Sequence, residues 1–273
     1  MKDLVLGTAS IVSYLGNIEA NLENMEIFLE QGQKEKVDLV VFPEMNITGY
    51  CSGTAICDNA IGLDDSLRKR LSELSSKFDI SFLCGLAEID GDKIFASHLF
   101  FNKGKFKGKY RKIQPGPSEL EFISAGDNIP LFELKGWIFG IQICFDSHFP
   151  EISTFMAKKG ADLIIIPHAS PRGNQFEKLK SWERHLTARA YDNSLYVAAV
   201  NQCGDNGNLN FPGISLLISP SGEIDGKNLS QNQVMSIFKL EKNRVDEIKA
   251  HRMKNFIRYR RGSFYNKIFQ NLL

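Results

Sequence analysis

Apolar residues recur along the chain at two spacings, and these spacings separate the predicted helices from the predicted strands. Ile18, Leu22, Met25 and Leu29 lie three or four residues apart, which predicts an amphipathic helix over 17–35. Two further stripes with this spacing predict helices, and a short helix is expected after Pro150 with its apolar residues turned inward. These sets are Leu67, Leu71, Leu74 and Phe78; Phe176, Leu179, Trp182, Leu186 and Ala190; and Ile152, Phe155 and Met156.

Short apolar runs bounded by glycine, proline or polar turns predict strands between these helices. The runs are 3–9, 37–42, 80–88, 93–102, 106–110, 131–143, 162–167, 195–202, 213–219 and 233–240. The run 131–143 contains a Lys-Gly turn and therefore predicts a hairpin. We expect residues 222–228 to form only a turn. This turn belongs to the connection between the strands 213–219 and 233–240, which we expect to pair with each other.

Two segments of the chain are similar in their order of residues. Residues 37–44 have the sequence VDLVVFPE and residues 161–168 have the sequence ADLIIIPH, and each follows a predicted helix. This repeat suggests two α-β halves related by approximate symmetry. Continuous apolar strands are typical of sheets whose outer faces are covered by helices. Because no linker rich in glycine, serine or proline interrupts the pattern, we expect a single α/β domain over residues 1–273.

The charge balance and the absence of a long apolar run narrow the classes of partner. The chain has 33 Lys and Arg against 32 Asp and Glu, a net charge of +1, which gives no overall attraction to nucleic acid or anionic membranes. No apolar run approaches the roughly 18 residues of a spanning helix. The N-terminus has the pattern of a first strand and not of a signal peptide. We therefore expect neither nucleic acid nor a membrane as a partner.

The five cysteines are scattered, and none belongs to a CxxC pair. Neither a zinc site nor a framework of disulfides is therefore supported, and we expect no metal and no cofactor. Free thiols are typical of a reduced compartment, so a cytoplasmic protein is expected. The cysteines are Cys51, Cys57, Cys84, Cys144 and Cys203.

Three residues with reactive side chains follow predicted strands. Glu44 follows the strand 37–42, Lys112 follows the strand at 106–110, and Cys144 follows the second arm of the hairpin. A thiol, an ammonium and a carboxylate that meet at one edge of a sheet would form an activated nucleophile. Each residue alone has an ordinary interpretation: a buried small cysteine, a glutamate in a loop, and one of several solvated lysines.

Three blocks of sequence resemble the signature blocks of the nitrilase superfamily, the carbon–nitrogen hydrolases. The blocks are DLVVFPEMNITGY, KYRKIQP and GIQICFDSHFPE, in the family's order. This resemblance implies a four-layer α-β-β-α sandwich, assembled as a homodimer or a higher homo-oligomer. It also implies that the C-terminal tail, about 250–273, packs on a partner subunit.

The resemblance further implies a catalytic set of four residues. Cys144 would be the nucleophile, Glu44 the general base, and Lys112 would stabilise the oxyanion together with the backbone N–H of Phe145. A second glutamate would support the lysine. Glu119 fits the family's spacing to Gly126 better than Glu121, which would then be a solvated loop charge.

The implied reaction is hydrolysis of an amide or N-carbamoyl compound through a cysteine thioester. A nitrilase that acts on a nitrile is the runner-up, followed by an acyltransferase and by a scaffold without catalysis. A Cys–His enzyme that uses His148 or His168 as its base is a weaker alternative, because the Glu–Lys–Cys set explains more of the sequence.

One position departs from the family pattern, and three residues are candidates for contact with the substrate. His148 stands where the family most often has an arginine, so a fixed positive charge beside the nucleophile turn is absent at this position. The expected pocket walls are loops 50–58, 114–122, 168–176 and 202–212. Residues proposed to contact substrate are His168, Arg172 and Asn201. Arg172 suits a substrate carboxylate and is equally a surface residue. The alternatives are a structural role for His168 and a bracing role for Asn201.

Overall fold

The computed structural model describes residues 2–270 of the protein as an α/β fold. The helices are α1 (Ile18–Lys34), α2 (Ala55–Asn59), α3 (Asp65–Lys77), α4 (Pro150–Lys158), α5 (Gln175–Asn193), α6 (Lys242–Ala250), α7 (Phe256–Tyr259) and α8 (Gly262–Gln270), and a 3₁₀ helix spans Cys144–His148. The strands are β1 (Leu4–Ser10), β2 (Leu39–Val41), β3 (Ile61–Gly62), β4 (Ser81–Asp90), β5 (Lys93–Asn102), β6 (Lys105–Arg111), β7 (Leu131–Leu134), β8 (Trp137–Ile141), β9 (Leu163–His168), β10 (Tyr196–Asn201), β11 (Gly204–Asp205), β12 (Asn210–Phe211), β13 (Ile214–Ile218), β14 (Ile224–Leu229) and β15 (Val234–Leu240).

Two sheets with equivalent strand orders form the centre of the protein. The first sheet has the order β15-β1-β2-β4-β5-β6, with β3 also paired to β4, and the second has the order β7-β8-β9-β10-β13-β14. In each order the second, third and fourth strands are parallel and the flanking strands are antiparallel. Strands β2 and β9 hold the third position of the two orders, as the repeated segments 37–44 and 161–168 suggest.

The repeated aspartates make the same contact in the two halves. Asp38 Oδ2 accepts a hydrogen bond from the Val5 amide at 2.9 Å, and Asp162 Oδ2 accepts one from the Ile138 amide at 3.0 Å. In both halves the carboxylate directly before the third strand therefore binds the backbone of the second strand, so the symmetry extends to side chains.

The two sheets pack face to face, and helices cover their outer faces. Phe100 of the first sheet contacts Phe139 of the second with ring centroids 5.1 Å apart, within one apolar core. On the outer face of the first sheet, α1 and α3 pack through Leu29 and Leu71, and α5 packs on the second sheet through Trp182. The predicted α-β-β-α sandwich is confirmed. Within residues 2–270, no helix has both the length and the apolar composition that a bilayer crossing demands.

Two phenylalanines that we predicted to face the core are exposed. Phe155 of α4 is 42% exposed and Phe176 of α5 is 68% exposed. In α4 the buried face runs through Ile152, Ser153, Met156 and Ala157, which turns residue 155 outward. Phe176 lies in the first turn of α5, before the helix reaches the sheet. The other members of both stripes are buried as predicted.

The prediction of only a turn at 222–228 was wrong. The turn covers residues 219–223, where the Gly222 amide bonds the Ser219 carbonyl at 2.9 Å with a φ of +82° at the glycine. Strand β14 follows directly and forms the outer edge of the second sheet, so its alternate residues face solvent and its pattern is mostly polar. Strand β15 pairs with β1 in the first sheet and not with β13.

Candidate active site

Cys144 lies at the sharp turn after strand β8. The strand ends at Ile141, and Cys144 begins the 3₁₀ helix with a φ of 47°, a left-handed conformation that is strained for any residue with a side chain. Ser147 Oγ donates to the Cys144 carbonyl oxygen at 2.7 Å, and the Ile143 amide donates to Asp146 Oδ2 at 2.9 Å. These bonds hold the turn so that Cys144 lines a cavity of about 540 Å³.

The ammonium of Lys112 joins two buried glutamates. Lys112 Nζ lies 2.7 Å from Glu44 Oε1, 2.8 Å from Glu119 Oε2 and 3.0 Å from Glu119 Oε1. The other Glu44 oxygen accepts from the Ala169 amide at 2.9 Å. Lys112 and Glu119 line the same cavity as Cys144. The structure therefore brings together the four residues of the predicted catalytic set.

Glu119, and not Glu121, is the second glutamate beside the lysine. The Glu119 carboxylate accepts from the Gly116 amide at 2.6 Å and from the Tyr50 hydroxyl at 2.9 Å. Glu121 is exposed on the same loop. Tyr50 ends the first of the three sequence blocks but was not among the predicted site residues.

Burial and mutual charge set the protonation of the four groups. Burial raises the pKa of Glu44 to about 7, although the Lys112 charge opposes this shift. Burial alone would lower the pKa of Lys112, but the two carboxylates hold it well above its usual range. Burial would raise the pKa of Glu119, and Lys112 lowers it overall. Burial also raises the pKa of the Cys144 thiol above its usual range, against the opposing charge of Lys112.

Asp146 connects the turn of Cys144 to the segment around Lys112. Its carboxylate accepts from the Tyr110 hydroxyl and from the Gln114 amide, each at 2.7 Å. Tyr110 and Gln114 lie two residues before and two residues after Lys112. Burial raises the pKa of Asp146 to about 6. Asp146 lies in the third sequence block but was not among the predicted site residues.

Three of the four remaining predicted site residues line the cavity. Phe145 follows Cys144, His168 is buried in the wall, and Arg172 is exposed. The fourth, Asn201, does not line the cavity, because its amide binds backbone: Asn201 Oδ1 accepts from the Ser170 amide at 2.8 Å and Nδ2 donates to the Ser170 carbonyl at 3.1 Å. Asn201 therefore braces the loop at 170, which is the alternative role expected for it.

A neighbouring arginine supplies a positive charge at the turn where His148 departs from the family pattern. Arg189 of α5 donates to the carbonyls of Ser147 at 3.1 Å and His148 at 3.3 Å. The His148 ring stacks on the His185 ring at 4.4 Å, and burial lowers the pKa of both imidazoles. The turn is thus supported from α5.

The cavity walls come from the predicted loops and from α5. The sequence predicted α5 only as a helix that packs on the core through its apolar stripe. Loops 50–58, 114–122 and 168–176 contribute side chains, whereas loop 202–212 contributes Leu209. The signal that was missed is a spacing of three to four residues between polar side chains beside the apolar stripe. The α5 residues that line the cavity are Glu177, Lys178, Ser181, Trp182 and His185.

Comparison with known proteins gives the same family over most of the chain. The sequence profile of the carbon–nitrogen hydrolase family matches residues 6–250. A 2-oxoglutaramate amidase from Bacillus subtilis is 30% identical over 78% of this chain and 81% of its own, and a nitrilase from Pyrococcus abyssi is 26% identical over 90% and 93%. A solved variant of the amidase from Nesterenkonia sp. AN1, with the acetamide moiety of fluoroacetamide on its active-site cysteine, has a TM-score of 0.83 at 19% identity and covers 97% of this chain and 96% of that chain. The fold is therefore shared across nearly the whole chain.

Proposed function

The chain belongs to the carbon–nitrogen hydrolase family, and we propose that it hydrolyses a small amide or N-carbamoyl compound through a thioester on Cys144. The observation that carries this proposal is the Lys112 ammonium, bound to Glu44 at 2.7 Å and to Glu119 at 2.8 Å in the wall of the cavity that Cys144 lines. Two carboxylates and one ammonium in this arrangement suit proton transfer and charge stabilisation at a thiol.

In the first half-reaction the Cys144 sulfur attacks the amide carbon while Glu44 accepts the thiol proton. The carbonyl oxygen becomes an oxyanion, which the Lys112 ammonium and the Phe145 backbone N–H stabilise. The first amides of a helix have no partner within it, so the 3₁₀ helix leaves such a donor free to face substrate. The C–N bond then breaks, Glu44 returns its proton to the leaving nitrogen, and the acyl group remains on sulfur.

In the second half-reaction water attacks the thioester. Glu44 accepts a proton from the water, the C–S bond breaks, and the proton returns to the Cys144 sulfur. The products are a carboxylic acid and the ammonia or amine already released. Glu44 serves both steps because a base with a pKa near neutrality binds and releases protons readily at physiological pH.

Relatives of both kinds match the chain, and a nitrile is the runner-up substrate. One compared sequence relative is described as an amidase and the other as a nitrilase. The same thiol can attack a nitrile carbon, so the two substrates are separated by assay.

We also propose that the protein acts as a homodimer or higher homo-oligomer in the cytoplasm, with the tail from residue 250 packed on a partner subunit. Helix α8 supports this assembly, because Phe264 is 50% exposed and Ile268 is 37% exposed on it. Solution scattering that shows only monomers would contradict the proposed assembly.

An ammonia-release screen tests the proposed reaction. Purified protein is mixed with pooled amides, N-carbamoyl compounds, ureides and nitriles, beside Cys144→Ala and a control, Cys57→Ala. Cys57 is an exposed thiol outside the cavity that Cys144 lines, so its loss is expected to leave activity unchanged. Ammonia from amides or carbamoyl compounds that requires Cys144 supports the proposal. Ammonia from nitriles alone favours the nitrilase, and none from any pool favours an acyltransferase or a scaffold.

A further inference from the structure

The hydroxyl of Ser147 lies between the backbone of Cys144 and a histidine of α5. Ser147 is buried, and its Oγ donates to the Cys144 carbonyl oxygen at 2.7 Å. His185 Nε2 lies 3.2 Å from the same Oγ, and His185 Nδ1 lies 2.8 Å from the Ser181 carbonyl oxygen, one turn earlier in α5. A continuous chain of hydrogen bonds therefore runs from α5 to the carbonyl of the nucleophile.

The partners of the His185 ring determine which of its nitrogens carries a hydrogen. A carbonyl oxygen has no hydrogen to donate, so Nδ1 donates to Ser181. Burial lowers the pKa of His185 to about 4, and the ring is neutral at neutral pH. Nε2 is then an acceptor, and the single hydrogen of the Ser147 hydroxyl is shared between Nε2 and the nearer Cys144 carbonyl. His185 thus limits the positions that this hydroxyl can take.

The Cys144 carbonyl and the Phe145 N–H belong to one peptide unit, which is planar. In a trans peptide the oxygen and the hydrogen point in opposite directions, so a bond that holds the Cys144 oxygen also sets the direction of the Phe145 N–H. That N–H is the backbone donor proposed for the oxyanion, and both residues line the cavity. Because Cys144 has a strained φ of 47°, the orientation of this peptide depends on the contacts around it.

We propose that His185 is a positioning residue that acts through Ser147 and holds the peptide 144–145 so that its N–H faces the substrate carbonyl oxygen. This inference rests on the proposed thioester reaction. His185 is not the base of a Cys–His pair, because Ser181 and Ser147 engage both of its ring nitrogens. It touches neither the thiol nor the substrate in this role, and its effect on the reaction is carried by the serine hydroxyl.

Packing of the His185 ring is the competing role. The ring stacks on the His148 ring with centroids 4.4 Å apart. His185→Phe keeps an aromatic ring at this place and removes both nitrogens, whereas Ser147→Ala removes the hydroxyl. If packing is the main task, His185→Phe leaves the reaction unchanged. If the hydrogen bonds are the task, both changes affect the same step, and the double variant is no slower than Ser147→Ala alone.

Steady-state kinetics on an amide that releases ammonia test the inference in the working enzyme. An oxyanion forms only after attack, so loss of its alignment lowers kcat and leaves KM nearly unchanged. We expect kcat to fall about tenfold in His185→Phe and in Ser147→Ala, since complete loss of an oxyanion donor costs about 100-fold or more. His185→Gln, whose amide can bond the serine hydroxyl, should retain most of kcat.

Thr187→Val is the matched control. Thr187 Oγ1 donates to the Glu183 carbonyl oxygen at 2.6 Å, a bond to the carbonyl four residues earlier in α5 like that of His185, and it lies outside the cavity. Its kinetics should match the wild type. An unchanged kcat in His185→Phe, a loss carried by KM, or independent losses that multiply in the double variant overturn the inference while amidase function stands.

A pair of probes for Cys144 covers failure of the function itself. Butyraldehyde adds reversibly to a thiol: the S–C bond forms, the C=O bond becomes single, and the thiol proton passes to the oxygen, which occupies the place of the oxyanion. Iodoacetamide alkylates the same sulfur by displacing iodide, with no change at its carbonyl. Aldehyde affinity is measured as protection of the Cys144 peptide from alkylation, by mass spectrometry.

The two probes should respond differently to His185→Phe. We expect aldehyde affinity to fall about tenfold, while the alkylation rate of Cys144 stays within about twofold of the wild type. This result supports the inference even if no amide is hydrolysed. Equal protection of the wild type and His185→Phe by the aldehyde overturns it. An alkylation rate that falls as far as the aldehyde affinity also overturns it, because the thiol itself would then have moved.

Discussion

The hydroxyl of Tyr110 donates to Asp146 Oδ2 across 2.7 Å, and this buried bond joins the strand before Lys112 to the turn that holds Cys144. Tyr110 belongs to β6 of the first sheet and Asp146 to the 3₁₀ helix that follows β8 of the second sheet, so the bond connects the segments that carry Lys112 and Cys144. Asp146 retains two backbone donors, the amides of Ile143 and Gln114, without it.

Tyr110→Phe removes this bond without removing the ring. We expect the free energy of unfolding to fall by about 1–3 kcal/mol, because the buried carboxylate loses one donor. We also expect kcat to fall about tenfold as the thiol and ammonium lose alignment. Urea unfolding and steady-state kinetics measure both. Tyr14→Phe, at an exposed tyrosine, is the control, and a kcat unchanged in Tyr110→Phe would show that the bond does not align the site.

The activity should depend on the protonation of Glu44. Its pKa is raised to about 7 by burial, and only the carboxylate can accept the thiol proton. As the pH falls through about 7, we therefore expect kcat/KM to fall, approaching tenfold per pH unit. A pH–rate profile from about pH 5 to about pH 9 measures this limb. A profile that stays flat down to pH values near the ordinary glutamate pKa would contradict Glu44 as the base.

Lys112 is expected to be required for stability as well as for activity. Lys112→Met leaves Glu44 and Glu119 buried without a positive charge, which costs about 3–5 kcal/mol of unfolding free energy. Adding Glu44→Gln should recover part of this loss, because it removes one of the two unpaired charges. Urea unfolding measures both variants. Lys34→Met, which breaks an exposed ion pair with Glu30, is the control and should change little.

The two neighbouring glutamates should differ sharply. Glu119→Gln removes one of the two charges that orient Lys112, so we expect kcat/KM to fall by about 100-fold or more. Glu121→Gln alters an exposed carboxylate and should leave kcat/KM near the wild-type value. Kinetics of the two matched variants measure this difference. A large loss in Glu121→Gln with none in Glu119→Gln would reverse the assignment.

The sequence predicted the fold and the placement of the site through features that are local in the chain. The repeated strand segments identify the third strand of each sheet, and three blocks at strand ends place Glu44, Lys112 and Cys144. A preference for Glu119 over Glu121 followed from the family's spacing, and the structure places Glu119 at the lysine.

Other features depend on contacts between distant segments and were missed for that reason. The side to which α4 and α5 turn is decided by the sheet they cover, so Phe155 and Phe176 were placed wrongly. Strand β14 is an edge strand with one solvated face, and its pattern therefore resembles a polar turn. Lys178 stands beside an apolar stripe, and only the assembled cavity distinguishes it from a solvated lysine.

Trapping of the acyl-enzyme tests the central claim most directly. The protein is mixed with an amide that releases ammonia, quenched in acid during the first turnover, digested, and mapped by mass spectrometry. We predict that the peptide containing Cys144 gains the mass of the acyl group and loses it on treatment with hydroxylamine. Hydrolysis that proceeds without an adduct on Cys144, and at the same rate in Cys144→Ala, would contradict the account.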